Sequence, residues 1–249
     1  MCILLIINTI NLMKYLSVTL VSLIFLASCS QKSDNQLTAE EEKEGWKLLF
    51  DGKTLTNWHL YNNPENSSSA WKAENGAIVY SADSTEVEHE DLVSDKEFEN
   101  FDLKFEWKIS EEGNSGVFIN VVERKDIPTA WASGPEYQLL DSLHPDYVIN
   151  LKKRPGSLYN FSKQKNPVAA KPAGEWNHSR IKQENGKVEF YLNGIQTAEQ
   201  DFNSEQWKEM VAKSGFSYFP DFGKTTKGKI ALQKWYKTVA FKNIKIKEL

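Results

Sequence analysis

Three Asn-Gly pairs, Asn75-Gly76, Asn185-Gly186 and Asn193-Gly194, stand between short runs in which apolar and polar residues alternate. Asn-Gly favours the tight type I′ hairpin, because both residues tolerate positive φ, so three such pairs commit the chain to antiparallel strands. The first pair joins the two halves of Trp71–Tyr80. The second joins Arg180–Gln183 to Val188–Leu192, and the third turns the chain again toward Ile195. Phe101–Ile109 alternates with period two: Phe101, Leu103, Phe105, Trp107 and Ile109 on one face, Asp102, Lys104, Glu106 and Lys108 on the other. Val117, Ile119 and Val121 repeat the pattern, and Gly228–Gln233 and Val239–Leu249 supply two closing strands. Only Ser204–Lys213 reads as a helix, capped by Ser204 and striped by Trp207, Met210 and Val211. The expectation is one all-β domain over residues 45–249, a two-sheet sandwich with one short helix.

Composition removes several function classes. The 249 residues carry 30 Lys+Arg against 34 Asp+Glu, a net charge of −4 that argues against a nucleic-acid partner. Both cysteines, Cys2 and Cys29, precede the domain, which excludes a disulfide framework, a cysteine zinc site and a thiol nucleophile. Phosphate-binding glycine loops and the Gly-x-Ser-x-Gly elbow are absent from the sequence.

The N-terminus reads as an address. Met13-Lys14 precedes an apolar run, Leu16 to Ala27, which ends in Leu26-Ala27-Ser28-Cys29. A positive residue, a short apolar run and small residues make a secretory signal, and the run falls short of the roughly 20 residues of a membrane span. Leu-Ala-Ser-Cys resembles the bacterial lipobox. The expectation is a signal peptide over 1–28 with its start at Met13, and a lipidated Cys29 at the mature N-terminus. A polar tether over 29–44 would then hold the domain to the bacterial cell envelope, at the outer membrane or periplasmic face. A single anchor that joins Ile3–Ile10 to the run is the competing reading, but Asn8, Asn11 and Lys14 interrupt it.

Chemistry concentrates between Gly134 and Tyr159. Glu136 and Gln138 alternate with Tyr137 and Leu139, so they project to one face of a strand. Asp141, His144 and Asp146 follow in a loop held by Pro145, then Arg154 and Tyr159. Carboxylates, a His and an Arg within one short stretch form an acid–base kit. A solvated loop with surface ion pairs would look the same. Glu106 and Lys104 are expected to line the same groove. The aromatics, 8 Trp, 9 Tyr and 13 Phe, suit a sugar cleft, although Trp107 and Trp207 read as core.

A run of motifs then resembles the bacterial 3-keto-disaccharide hydrolase family. They begin with Gly45-Trp46-Lys47-Leu48-Leu49-Phe50-Asp51-Gly52, Asn114-Ser115-Gly116 and Gly134-Pro135-Glu136-Tyr137-Gln138-Leu139-Leu140-Asp141. His144-Pro145-Asp146, Gly156-Ser157-Leu158-Tyr159, Gly174-Glu175-Trp176-Asn177, Leu192-Asn193-Gly194 and Ile230-Ala231-Leu232-Gln233 follow in the same order. The resemblance covers about 45–249 and implies a concanavalin A-like jelly-roll β-sandwich. It also implies attack on 3-keto-glycosides or 3-keto-disaccharides, in which a ketone at C3 acidifies the C2 proton and the C1 oxygen can be eliminated. Such a site needs a base, an acid and a group that stabilises the enolate. Glu136, Asp141, His144 and Asp146 are the acid–base candidates. Glu106, Asn114, Gln138, Arg154, Tyr159 and Gln233 are the substrate-binding candidates, and a divalent metal ion is a conceivable cofactor.

Departures from the family pattern are also visible. Members often carry His-Arg-Ala-Gly-Asp-Leu-Tyr-Asp where this chain has Lys153-Arg154-Pro155-Gly156-Ser157-Leu158-Tyr159-Asn160. Leu-Gln-Asp-His-Gly is often found where it has Leu232-Gln233-Lys234-Trp235-Tyr236. The leading expectation is thus a lipid-anchored enzyme acting on oxidised sugar. A lectin-like lipoprotein that binds glycan without cleaving it is the alternative. A conventional two-carboxylate glycosidase ranks third, because no paired geometry is suggested.

Overall fold

The computed structural model describes residues 33–66 and 68–249, so the expected signal peptide and the expected lipidation site at Cys29 lie outside the described residues. From Asp34 to the C-terminus the chain forms one unit. Its first sheet runs β11 (Ile195–Asp201), β10 (Lys187–Leu192), β9 (Asn177–Glu184), β6 (Phe101–Ile109), β13 (Val239–Glu248), β4 (Ala77–Tyr80), β3 (Trp71–Glu74), and β1 (Lys47–Leu48) also pairs with β13. The second runs β2 (Trp58–Leu60), β5 (Leu92–Phe98), β12 (Gly228–Leu232), β7 (Asn114–Val121), β8 (Glu136–Leu140). Every strand pair is antiparallel. The chain is the all-β two-sheet sandwich that its sequence pattern predicts, in the jelly-roll form that the family resemblance implies.

The local reasons are those of the turns and the strand period. Asn75-Gly76, Asn185-Gly186 and Asn193-Gly194 have φ of 52° and 74°, 52° and 78°, and 48° and 84°. Each closes a two-residue hairpin, with Glu74 opposite Ala77, Glu184 opposite Lys187 and Leu192 opposite Ile195. The inward face of β6 meets the second sheet through Phe105, whose ring lies edge-on to Tyr137 of β8 at 5.8 Å. The Tyr137 hydroxyl is satisfied by Ser179 Oγ at 2.7 Å and Tyr191 O at 3.0 Å, so a polar atom sits in the core without an orphaned donor.

The expected helix is present over Glu205–Ala212, with Ser204 Oγ accepting from Trp207 N. Trp207 is buried against Phe161 and Phe202. Among the described residues, two further α-helices, Ala39–Lys43 and Asp146–Ile149, are too short to give a periodic signal.

The domain starts earlier than the predicted Gly45, which corrects the tether reading for residues 34–44. Asn35 is buried, donates its side-chain amide to Gly76 O, and exchanges bonds with Asn243 at 2.6 and 2.8 Å. A capping box of Thr38 and Glu41 starts the helix over Ala39–Lys43, and Glu41 pairs with the buried Lys245.

Candidate active site

Tyr137 and Leu139 of β8 point into the core, which sends Glu136 and Gln138 to the outer face of the five-stranded sheet. Opposite them on β7 stand Phe118 and Gly116. Gly116 is there for space: a Cβ at this position would lie 2.1 Å from Glu136 Oε1. Gln233 extends the row, its backbone N donating to Gly116 O at 2.9 Å. The loop after β8 returns over this face, with Tyr159 N donating to Glu136 O and Gly156 N to Gln138 O.

A cleft of about 390 Å³ results. Glu136, Gln138, Asn114, Gln233, Asp146, Lys153 and Tyr159 form its polar side, and Trp131, Phe216, Phe219 and Trp235 its aromatic side. Glu136 is only 8% exposed. Burial pushes its carboxyl well above the usual carboxylate range, the charge of Asp91 adds to the rise, and Lys153 opposes it. Asp91 is itself buried and raised to about 6 by desolvation, despite bonds from Lys234 N and Thr129 Oγ1. Lys153 Nζ holds Asp146 Oδ2 at 2.8 Å, and that bond raises the lysine further. Burial, then the charge of Glu136, raises the Tyr159 phenol.

Two acceptors here are unsatisfied. Gln138 Nε2 donates to Asn114 Oδ1, Ser115 O and Leu139 O, yet Gln138 Oε1 has no partner, and neither has Gln233 Oε1. A buried acceptor without a donor costs about 1–3 kcal/mol, so a pair of them in one cleft is suited to a ligand rich in hydroxyl groups.

The profile of the 3-keto-alpha-glucoside-1,2-lyase-like domain matches residues 45–247. The chain belongs to this family. As a member of the 3-keto-alpha-glucoside-1,2-lyase-like family it is an enzyme acting on glycosidic bonds. It is 31% identical over 233 residues to the 3-keto-disaccharide hydrolase of Bacteroides thetaiotaomicron, an alignment covering 84% of this chain and 80% of the relative. Two crystal structures of candidate glycosyl hydrolases from Parabacteroides distasonis are similar. One superimposes with a TM-score of 0.79 at 36% identity, covering 87% of this chain and all of that one. The other gives 0.64 at 28% identity, covering 82% and 99%.

Among the residues expected from sequence, Glu136, Asn114, Gln138, Asp146, Tyr159 and Gln233 meet in the cleft of this family member. Four do not. Asp141 is a buried turn lock whose Oδ2 accepts from Glu112 N and Leu143 N. His144 accepts from Asp146 N through Nδ1 and lines a neighbouring hollow. The Arg154 guanidinium lies 4.7 Å from the Tyr147 ring centre, with Nε donating to Tyr147 O. Glu106 sits on the outer face of the other sheet, where it accepts from Asn243 and pairs with Lys242, while Lys104 covers the Trp46 ring.

The cleft's cation, Lys153, was visible in sequence only as a departure from the family pattern, and Asp91, Trp131, Phe216 and Phe219 carried no local signal. Among the described residues no three His, Cys, Asp or Glu side chains come together as metal ligands. The carboxylates Glu136 and Asp146 share their cleft with an ammonium group, a donor set that does not fit a divalent ion.

Proposed function

We propose that this enzyme hydrolyses 3-keto-disaccharides or related 3-keto-glycosides by elimination across C1–C2 followed by hydration. The observation that carries the reading is a buried Glu136, whose carboxyl burial holds well above the usual range, in the same cleft as the Lys153–Asp146 ion pair. Burial that favours the protonated form of Glu136 suits it to the role of general acid. Asp146, paired with Lys153, takes the C2 proton, and the electron pair moves onto the C3 oxygen as an enolate. Lys153 stabilises that charge through its ammonium group. The enolate collapses to a C1=C2 double bond as the C1–O bond breaks, and Glu136 protonates the departing oxygen. Glu136, now a carboxylate, deprotonates water for addition at C1, and the proton on Asp146 returns to C2. The cycle restores both groups. The carbonyl oxygens of Gln138 and Gln233 accept from sugar hydroxyls.

Glu136→Gln is expected to lower kcat on a 3-keto-disaccharide by about 10²-fold, and Lys153→Met by a similar factor. The unoxidised disaccharide should remain intact, because without the ketone its C2 proton is not acidic. Rates on both sugars, with thermal melts as a folding control, decide between this enzyme and a lectin. Full activity in Glu136→Gln would remove the proposed acid.

The same reading includes lipidation at Cys29 and display on the cell envelope, supported by the Leu26-Ala27-Ser28-Cys29 motif. Cys29→Ala should move the protein out of the membrane fraction in a detergent-partition assay. An unchanged distribution would instead favour a membrane span.

A further inference from the structure

Beside the cleft lies a second hollow of about 510 Å³, lined by Tyr80, His89, His144, Lys234, Trp235 and Tyr236. Trp235 lines both spaces, so the two adjoin across one indole. The wall between them is fixed by backbone pairing: Asn114, from the cleft, exchanges N–H···O bonds of 3.1 Å with Tyr236, from the hollow. Trp235 and Tyr236 are 58% and 49% exposed, unusual for large aromatic side chains in a domain with so full a core.

The hollow also holds unused donors. His144 accepts at Nδ1 from Asp146 N, which leaves the proton of a neutral ring on Nε2, and Nε2 has no partner among the described residues. Lys234 Nζ likewise makes no hydrogen bond or ion pair among the described residues. Tyr80 and His89 differ: the hydroxyl bonds His89 Nδ1 and the other ring nitrogen bonds Ser84 O, so they form a satisfied wall. Exposed aromatic rings together with free N–H donors suit a pyranose, whose C–H face covers a ring while its hydroxyls accept from the edge.

We propose that this hollow is the subsite for the leaving sugar ring, with Trp235 and Tyr236 as its platform and Lys234 and His144 as its donors. The assignment rests on the proposed elimination, in which the oxidised ring occupies the cleft at Glu136. The glycosidic oxygen then lies at the Trp235 boundary, and the second ring falls into the hollow. The exposed faces of Trp235 and Tyr236 give this chain a preference for a full sugar as leaving group.

The test compares a 3-keto-disaccharide with the methyl 3-keto-glucoside, which lacks the second ring. In Lys234→Ala and Tyr236→Ala, the ratio of kcat/KM for the disaccharide to that for the methyl glycoside should fall about tenfold, through KM. That factor corresponds to about 1.4 kcal/mol. Unchanged melting temperatures would confirm that the fold is intact. A ratio that stays within about twofold of wild type in both folded variants overturns the subsite while leaving the elimination standing. A wild-type enzyme that cleaves neither substrate overturns the functional reading and the subsite together.

Discussion

The charge of Asp91 makes Glu136 harder to ionise, while Asp91 is itself raised chiefly by its own desolvation. A carboxyl raised in the folded state binds more protons than its unfolded counterpart, so stability falls as pH rises from the unfolded value through the folded one. For Asp91, from 3.8 to about 6, the penalty amounts to about 3 kcal/mol by neutral pH. Asp91→Asn should therefore flatten the stability loss between pH 4 and 6 by the share that Asp91 contributes, read as denaturation midpoints across that range. It should also reach the chemistry. With the Asp91 charge gone, Glu136 ionises more easily, and the alkaline limb of kcat/KM moves to lower pH. A variant whose pH–stability slope and alkaline limb both match wild type would show that the two carboxyls are not coupled.

At the scale of elements, legibility follows from locality. Asn75, Asn185 and Asn193 announce their hairpins because a positive φ at two successive residues is a demand that the dipeptide itself meets. The β6 pattern is readable because its period is its own. The same period misplaced Glu106: alternation shows that a face is polar but not which sheet carries it, and β6 lies in the sheet that does not bear the cleft. Glu136 and Gln138 were legible through their phase against Tyr137 and Leu139. Lys153, Trp131, Phe216 and Phe219 arrive on irregular segments that only tertiary packing aims at the cleft. His144 and Asp141 show the converse. They are near Asp146 in sequence, yet the turn that Asp141 locks and the helix begun by Asp146 direct them elsewhere.

For the whole molecule, residues 34–44 belong to the folded unit and repair a defect in its first sheet. Pairing of β13 with β6 shifts register between Lys242 and Lys245, where Asn243 takes a φ of 52°. The irregular backbone needs partners, and Asn35 supplies them: its Oδ1 accepts from Asn243 N, and its own backbone N–H donates to Asn243 Oδ1. Asp34 adds bonds to Asn243 Nδ2 and Lys242, and Glu41 faces the buried Lys245. A chain beginning at Gly45 loses all of these at once. Each buried hydrogen-bond partner lost costs about 1–3 kcal/mol, and a buried lysine deprived of its carboxylate costs more. For a domain of this size 1 kcal/mol moves Tm by about 2–4 °C, so the truncated chain should melt roughly 10 °C below one beginning at Asp34. Calorimetry on the two chains measures it, and melting within about 2 °C of each other would return the segment to the role of a tether. Because the cleft lies on the other sheet, the truncated chain, assayed well below its melting point, should keep its kcat.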